Sequence, residues 1–197
     1  MRQCLICLPL LLALSGCQAL PFARELEATM LVQVLGVDWS EDSVTLTAAS
    51  DPQDGSGDAN ASVLAAAGET LEQAIAAWIG AGEEYVSLTH VAQLVIGAGT
   101  DLRTVLEAAL AEPALGQGAT VWVSTGATAQ ELLEAVDGGA KRLSSVQLNA
   151  GVEPVTVLQA LMRLEEDGQV IVPSLTVTEE TLEPSGYTLI TEEEHGE

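Results

Sequence analysis

The chain has few basic residues, and this deficit excludes several classes of partner. Its 197 residues include 6 Lys and Arg against 29 Asp and Glu, for a formal net charge of −23. Nucleic acids need a basic surface opposite their phosphates, and anionic lipid headgroups attract polybasic segments. Neither kind of partner fits a protein this acidic. Aromatic residues make up only 3% of the chain, which also argues against a carbohydrate platform built on stacked rings.

The sequence also lacks short motifs that mark common active sites. It contains no HExxH zinc motif, no GxSxG nucleophile elbow and no P-loop. The 2 histidines are His90 and His195, and neither can be paired with a serine or cysteine nucleophile on sequence grounds. We therefore expect a protein that is not an enzyme and that carries no cofactor.

One acidic loop is the best candidate for a metal site. Asp51, Asp54 and Asp58 alternate with Gly55 and Gly57, and hard cations prefer several oxygen ligands on a bent loop. The spacing differs from that of an EF-hand, and no glutamate stands where such a loop needs a bidentate ligand. Turn-forming residues explain the same composition. A solvated loop is therefore the favoured interpretation, and we predict no metal ligands.

His90 is the remaining candidate for chemistry. It lies in the segment Ser87-Leu88-Thr89-His90-Val91, directly before an apolar run. A lone histidine is more often a hydrogen-bonded structural residue than a general base or a metal ligand, so the structural role is favoured and the functional role is the alternative.

The 3 cysteines lie near the N-terminus, where they accompany an export signal. Arg2 precedes an apolar stretch at residues 5–14, which is too short for a bilayer because a spanning helix takes about 20 residues. Leu14-Ser15-Gly16-Cys17 then matches a bacterial lipobox, in which the leader is cut off before a lipidated cysteine. An ordinary secretory leader that is cut elsewhere is the alternative. We expect a lipid on Cys17, as a firm membrane anchor.

Predicted strands and amphipathic helices alternate through the rest of the chain. The apolar run 30–37 and the alternating run 43–49 predict a β-hairpin, joined by a turn that contains Trp39. Further strands are expected at residues 61–66, 91–96, 120–124, 170–178 and 187–191. Helices are expected to begin at Thr70, Leu102, Thr128 and Pro154, the last of these with Leu158, Leu161 and Met162 facing the core and ending at Gly168.

This alternation after an opening hairpin predicts the fold class. We expect an α/β fold of the α+β mixed kind, in which a mixed β-sheet carries amphipathic helices packed on it. The expected division is a signal peptide at 1–16, a lipidated tether at 17–29, a single domain at 30–191 and an acidic tail at 192–197.

Several short motifs follow one another along the chain in a characteristic order. They are Cys17, the tether step Arg24-Glu25-Leu26, the strand end Gly36-Val37-Asp38, the helix start with Gly68, Thr70, Leu71 and Ala74, the stretch from His90 to Gly97, the step Glu112-Pro113 and the strand Val170-Ile171-Val172-Pro173. This order resembles the N-terminal region of the C-subunit lipoproteins of spore germinant receptors, the GerAC or Ger(x)C type. Members of that family carry a further C-terminal region, so the resemblance covers the N-terminal domain only.

The resemblance implies a non-catalytic assembly or sensing component of nutrient-triggered spore germination. It implies a lipid anchor on the outer face of the cell or spore inner membrane, and association with the membrane-embedded A and B subunits of the receptor. Cys17 is the one functional residue that it transfers to this sequence. The main alternative is a solute-binding lipoprotein of a transporter. A surface-bound enzyme that uses Asp51, Asp54 or His90 is the weakest alternative.

Overall fold

The computed structural model describes residues 29–50, 62–81, 85–135, 139–149, 151–178 and 181–191. Cys17, the step Arg24-Glu25-Leu26, the loop with Asp51, Asp54 and Asp58, and His195 all lie outside the described residues. The expected domain boundaries therefore stay predictions.

The described residues form nine strands and five helices. The strands are β1 (Thr29–Leu31), β2 (Val34–Trp39), β3 (Val44–Ser50), β4 (Ser62–Gly68), β5 (Tyr85–Ser87), β6 (Gln93–Ile96), β7 (Thr120–Ser124), β8 (Gln169–Thr178) and β9 (Thr181–Thr191). The helices are α1 (Leu71–Ala81), α2 (Leu102–Ala111), α3 (Ala129–Glu134), α4 (Gly139–Asn149) and α5 (Val157–Asp167).

Seven of these strands form one mixed sheet in the order β4-β3-β2-β6-β7-β8-β9. The central strands β2, β6, β7 and β8 are parallel, with β3 and β4 antiparallel at one side and β9 antiparallel at the other. Strands β1 and β5 form a separate parallel pair. The expected fold class is confirmed, and the hairpin of β2 and β3 opens the large sheet.

Helices cover both faces of the sheet. On the first face, α1, α2 and α5 pack on an apolar cluster in which Leu35, Leu46 and Ile96 are fully enclosed. On the second face, α3 and α4 pack on a smaller cluster around Val34, Val95 and Trp122. Residues of one strand alternate between the two clusters because successive side chains point to opposite sides of a sheet. Burial on both faces also explains why β2 and β6 are almost continuously apolar.

Helix starts follow the capping signals of the sequence. The expected capping box of Thr128 and Glu131 is confirmed at the start of α3. The last helix differs from expectation, since α5 begins at Val157 behind a capping box of Thr156 and Gln159 and not at Pro154. Each such cap is worth about 1 kcal/mol, and the box outweighs the preference of proline for a first turn.

The buried side of α5 also differs from the expected one. The helix buries Val157, Ala160 and Leu164, whereas Leu158 and Met162 are 39% and 49% exposed. The expectation that Leu158 and Met162 face the core was wrong. Leu161, the third residue of that expectation, is partly buried against the first-face cluster. The end of the helix at Gly168 is confirmed.

Two further differences concern segments with weak signals. The apolar run 30–37 is broken at residues 32 and 33, so that β1 pairs with β5 while β2 enters the large sheet. Helix α4 was not expected, since it begins at a glycine and has only Leu143, Val146 and Leu148 as large apolar residues. None of the described helices has the length and apolarity needed to span a bilayer.

Candidate functional site

An open crevice of about 720 Å³ lies at the carboxyl ends of the parallel strands β2 and β6. Its walls are the end of β2, the β2–β3 turn, the loop after β6 and the residue before α3. The chain leaves β2 toward β3 on one side and leaves β6 toward β7 on the other. Ligands of open α/β sheets usually bind at such a reversal of strand order, so we take this crevice as the candidate site.

Asp38 is the central side chain of the crevice. Its Oδ1 accepts from the Ala129 N–H at 2.7 Å, and its Oδ2 accepts from the Gln130 N–H at 3.0 Å. Both donors belong to the first turn of α3, where backbone N–H groups have no partner inside the helix and the helix dipole favours a negative charge. Asp38 therefore ties the end of β2 to the start of α3.

Two glycines let this connection form. A Cβ on Gly97 would lie 1.7 Å from Asp38 Oδ1 and 2.8 Å from the Ala129 nitrogen. A Cβ on Gly36 would lie 2.9 Å from Leu133 Cδ1. The sequence motifs Gly36-Val37-Asp38 and Ile96-Gly97 thus meet at one place, because both strands must let α3 come close to the sheet.

The loop after β6 is held by its own set of polar contacts. Asp101 caps α2, with its two carboxylate oxygens accepting from Arg103 N–H at 3.3 Å and Thr104 N–H at 3.1 Å. Thr100 Oγ1 accepts from the Trp39 N–H at 3.0 Å, which fastens this loop to the end of β2. Asp101 and Thr100 therefore hold the wall of the crevice in place.

The third wall of the crevice is the capping box of α3. Thr128 Oγ1 accepts from the Glu131 N–H at 3.1 Å, and Glu131 Oε2 accepts from the Thr128 N–H at 2.9 Å. The backbone hydrogen bond, followed by the Thr128 side chain, lowers the pKa of Glu131 below its ordinary value. The carboxylate is thus held in its charged form by the cap.

Trp39 is the main apolar side chain at the crevice. It is partly buried at the end of β2, as expected from the sequence, although it lies in the strand and not in the turn. A second open cavity of about 590 Å³ lies on its other side and is lined by Thr70, Glu72 and Pro113, among others. A half-buried tryptophan between two cavities is a suitable anchor for recognition.

Most polar groups of the crevice form hydrogen bonds that stabilise the fold. Asp38 and Asp101 cap two helices, and Ser40 Oγ lies 3.0 Å from Ser43 Oγ in the turn. Glu41 is exposed and has no hydrogen bond or ion pair with any described residue. Asp38 and Asp101 are thus engaged in hydrogen bonds within the fold, and Glu41 is the carboxylate of the crevice that remains available to a ligand.

The structure does not bring the earlier candidates together. His90 is exposed in the turn before β6, at the opposite end of that strand from the crevice, and its Nδ1 lies 3.1 Å from Thr89 Oγ1. Cys17 and the acidic loop with Asp51, Asp54 and Asp58 fall outside the described part of the chain. Within the described ranges, no three His, Cys, Asp or Glu side chains are grouped closely enough to hold a metal ion.

The motifs of the crevice are visible in the sequence, but their structural role is not. Gly36, Asp38 and Gly97 were noted as parts of ordered motifs, while the contact with α3 spans 91 residues of sequence. Thr100 and Asp101 were not singled out. The Asp101 signal was available, because an aspartate directly before an apolar helical pattern is a common N-cap.

Comparison with known families gives one match. A family model described as the spore germination protein N-terminal domain matches residues 23–177, most of the chain. The match includes the crevice and both faces of the sheet, and it ends at the last but one residue of β8. Searches of curated proteins and of solved structures found no significant match.

Proposed function

Since the chain belongs to the spore germination protein N-terminal domain family, the family of germinant receptor C subunits, we propose that it is a non-catalytic component of a nutrient receptor. It is held at the membrane by a lipid on Cys17, on the outer face of the cell or spore inner membrane. Its partners are the membrane-embedded A and B subunits. The family match over residues 23–177 carries this proposal.

The contacts of the crevice support a non-catalytic role. A general base needs a carboxylate or imidazole within hydrogen-bond reach of a substrate proton. Asp38 and Asp101 are each occupied by two backbone N–H groups, and His90 lies at the other end of the sheet. The geometry therefore suits a rigid surface for assembly or sensing.

The charge of the chain supports a covalent anchor. A protein with a formal net charge of −23 is repelled by anionic lipid headgroups, so its surface cannot hold it at a membrane. A diacylglyceryl group on Cys17 provides two chains, and two lipid chains are what stable anchoring requires. The lipid and the acidic surface together keep the domain at the membrane but off the headgroups.

The anchor is tested by lipid labelling of the wild type and of Cys17→Ala. We expect labelled lipid on the wild type and none on the variant, whose leader should stay uncleaved. Cys7→Ala, in the leader, is the matched control and should behave as the wild type. Labelled lipid on Cys17→Ala, or no labelled lipid on the wild type, would refute the lipid anchor.

The non-catalytic role is tested by Glu41→Gln, which removes the uncommitted carboxylate of the crevice without touching a cap. Spores that carry this variant at the wild-type level should germinate with nutrients at the wild-type rate. Glu166→Gln, at an exposed position of α5, is the matched control. If Glu41→Gln alone abolishes germination while the protein stays folded, the crevice has a direct chemical role and the non-catalytic assignment fails.

A further inference from the structure

The outer edge of β9 is open to another strand. β9 is the last strand of the sheet, and among the described residues it pairs with β8 alone. Every second residue of such an edge turns its backbone N–H and C=O away from the sheet. An exposed edge of this kind accepts an additional strand unless charges, prolines or bulges prevent it.

Protection is present in one half of β9 and absent from the other. The first half contains Glu183, Pro184 and Gly186, and its pairing with β8 changes register between Ser174 and Leu175. The second half, residues 187–191, is in regular register with residues 169–173. It has the sequence Tyr-Thr-Leu-Ile-Thr and contains no charge, proline or glycine. The edge is therefore open over these last five residues.

Three large apolar side chains accompany this open edge. Ile171, Tyr187 and Leu189 are 54%, 56% and 56% exposed. Leu189 lies opposite Ile171, and Tyr187 lies two residues before Leu189, so all three project from the same side of the sheet. Val170 and Val172 belong to the first-face cluster, which places Ile171 and its neighbours on the second face. We call these three side chains and the edge of residues 187–191 the β9 patch.

The charges near the β9 patch indicate what kind of partner it binds. Glu183 lies on the same strand, and the sequence continues from Thr191 into Glu192, Glu193 and Glu194. A second copy would bring the same charges and a net −23 of its own, so repulsion opposes self-pairing. A basic partner has the complementary charge.

We propose that the β9 patch binds an extended basic segment of a partner protein by strand addition. The partner strand pairs with residues 187–191, and its alternate apolar side chains cover Ile171, Tyr187 and Leu189. Its Lys or Arg side chains complement the acidic charge of this chain. Backbone pairing provides affinity, and the side-chain alternation and charge provide specificity. This interaction surface does not depend on the proposed receptor role, because it is tested by binding to the isolated full chain.

The test uses the full chain in detergent and a synthetic nine-residue peptide that alternates valine with lysine. Fluorescence anisotropy measures binding, and hydrogen exchange with mass spectrometry reports on residues 187–191. We expect the peptide to bind and to slow exchange there. A peptide with glutamate in place of lysine, and one with N-methylated central amides, should each bind at least about tenfold more weakly, a loss of about 1.4 kcal/mol or more.

Two variants locate the binding on the protein. Tyr187→Thr combined with Leu189→Thr removes apolar surface without changing the charge, and should weaken binding of the basic peptide at least about tenfold, again about 1.4 kcal/mol or more. Leu64→Thr is the matched control, since Leu64 is 38% exposed on the opposite edge strand β4 and its replacement should leave binding unchanged. Circular dichroism and thermal unfolding establish that each variant is folded.

Several results would overturn the proposal. They are absence of binding by the basic peptide, equal binding by the N-methylated or glutamate peptide, and unchanged binding after the double replacement. Sedimentation measurements in the same detergent test whether the partner is a second copy of this chain. If the wild type forms a dimer that the double replacement dissolves, the occupant is a second copy and the assignment of a basic partner is wrong.

Discussion

The two faces of the sheet are built on different principles. The first face is covered by α1, α2 and α5 and is almost wholly apolar. The second face is covered by the shorter α3 and by α4, and the sheet buries Thr47, Gln93 and Ser124 there among its apolar residues. The first face is held by hydrophobic burial, whereas the second combines apolar burial with the hydrogen bonds of Gln93 and with close backbone approaches at Gly36 and Gly97.

The two buried tryptophans express the same difference. Trp122 lies on the second face, where its Nε1–H donates to Gln93 Oε1 at 2.6 Å and the Gln93 amide donates to Gln147 Oε1 at 3.1 Å. Trp78 lies on the first face, and its buried Nε1 finds no acceptor among the described atoms. Interior polar groups are usually paired. Each face carries buried polar atoms without a described partner, Trp78 Nε1 on the first and Thr47 Oγ1 and Ser124 Oγ on the second. The faces therefore differ in the hydrogen-bonded chain of Trp122, Gln93 and Gln147 and not in how completely their polar groups are paired.

The largest expected effect comes from the helix that the sequence did not reveal. Leu143 is the fully buried side chain of α4, and Leu143→Ala should lower the free energy of unfolding by about 2–5 kcal/mol. Leu148→Ala, on the same helix at 82% exposure, should change it by less than about 0.5 kcal/mol. Urea unfolding measures both. Equal effects would mean that α4 does not cover the second face.

A single methyl group at Gly97 should disrupt the join between the sheet and α3. Gly97→Ala places a Cβ against Asp38 Oδ1 and the Ala129 nitrogen, and should cost about 3 kcal/mol through strain and loss of the cap. Gly118→Ala is the matched control, since nothing lies within 4 Å of the added Cβ. Thermal unfolding compares the two variants. A Gly97→Ala protein as stable as the control would remove the structural reason given for this glycine.

The tryptophans give a direct comparison of the two faces. Both Trp→Phe replacements remove similar volume, but Trp122→Phe also leaves the buried Gln93 Oε1 without its indole donor. Trp78→Phe instead removes an indole N–H that has no described acceptor. We expect Trp122→Phe to be the more destabilising by about 1–3 kcal/mol, as measured by urea unfolding. The reverse order would contradict the polar role assigned to the second face.

The smallest effect concerns pH. The cap lowers the folded-state pKa of Glu131, so its contribution is present above the unfolded pKa of this glutamate and is lost as the pH falls through the folded pKa. Glu131→Gln keeps a capping side chain but does not titrate, so its stability should decline less than that of the wild type in this acidic range. Glu134→Gln is the control on the same helix. Thermal unfolding at several pH values compares them, and identical pH profiles for Glu131→Gln and the wild type would exclude this linkage.

The first face was the easier one to predict from the sequence. Leu71, Ala74 and Trp78 in α1 follow the helical repeat, as do the apolar residues of α2, and the expected strands of the sheet were found with shifts at their ends. Periodicity reports on a helix that buries a wide apolar stripe. Helix α4 has only Leu143, Val146 and Leu148 as large apolar residues, and Leu148 is 82% exposed, so its low apolar content hid it from the sequence pattern.

The crevice was only partly predictable, for a different reason. Its motifs are visible as local patterns, but the bond from Asp38 to α3 joins residues far apart in sequence, and no periodicity encodes such a contact. The family resemblance reached the right family because it used the order of those motifs. What that resemblance could not supply is the physical role of Asp38 and Gly97, which only the folded arrangement reveals.

The receptor role is tested most directly by nutrient-triggered germination of spores that lack this protein. We expect these spores to lose the response to their nutrient, to keep the response to a trigger that bypasses nutrient receptors, and to recover with the wild-type gene but not with Cys17→Ala. An unchanged nutrient response in the deletion spores, with all other receptors absent, would contradict the account.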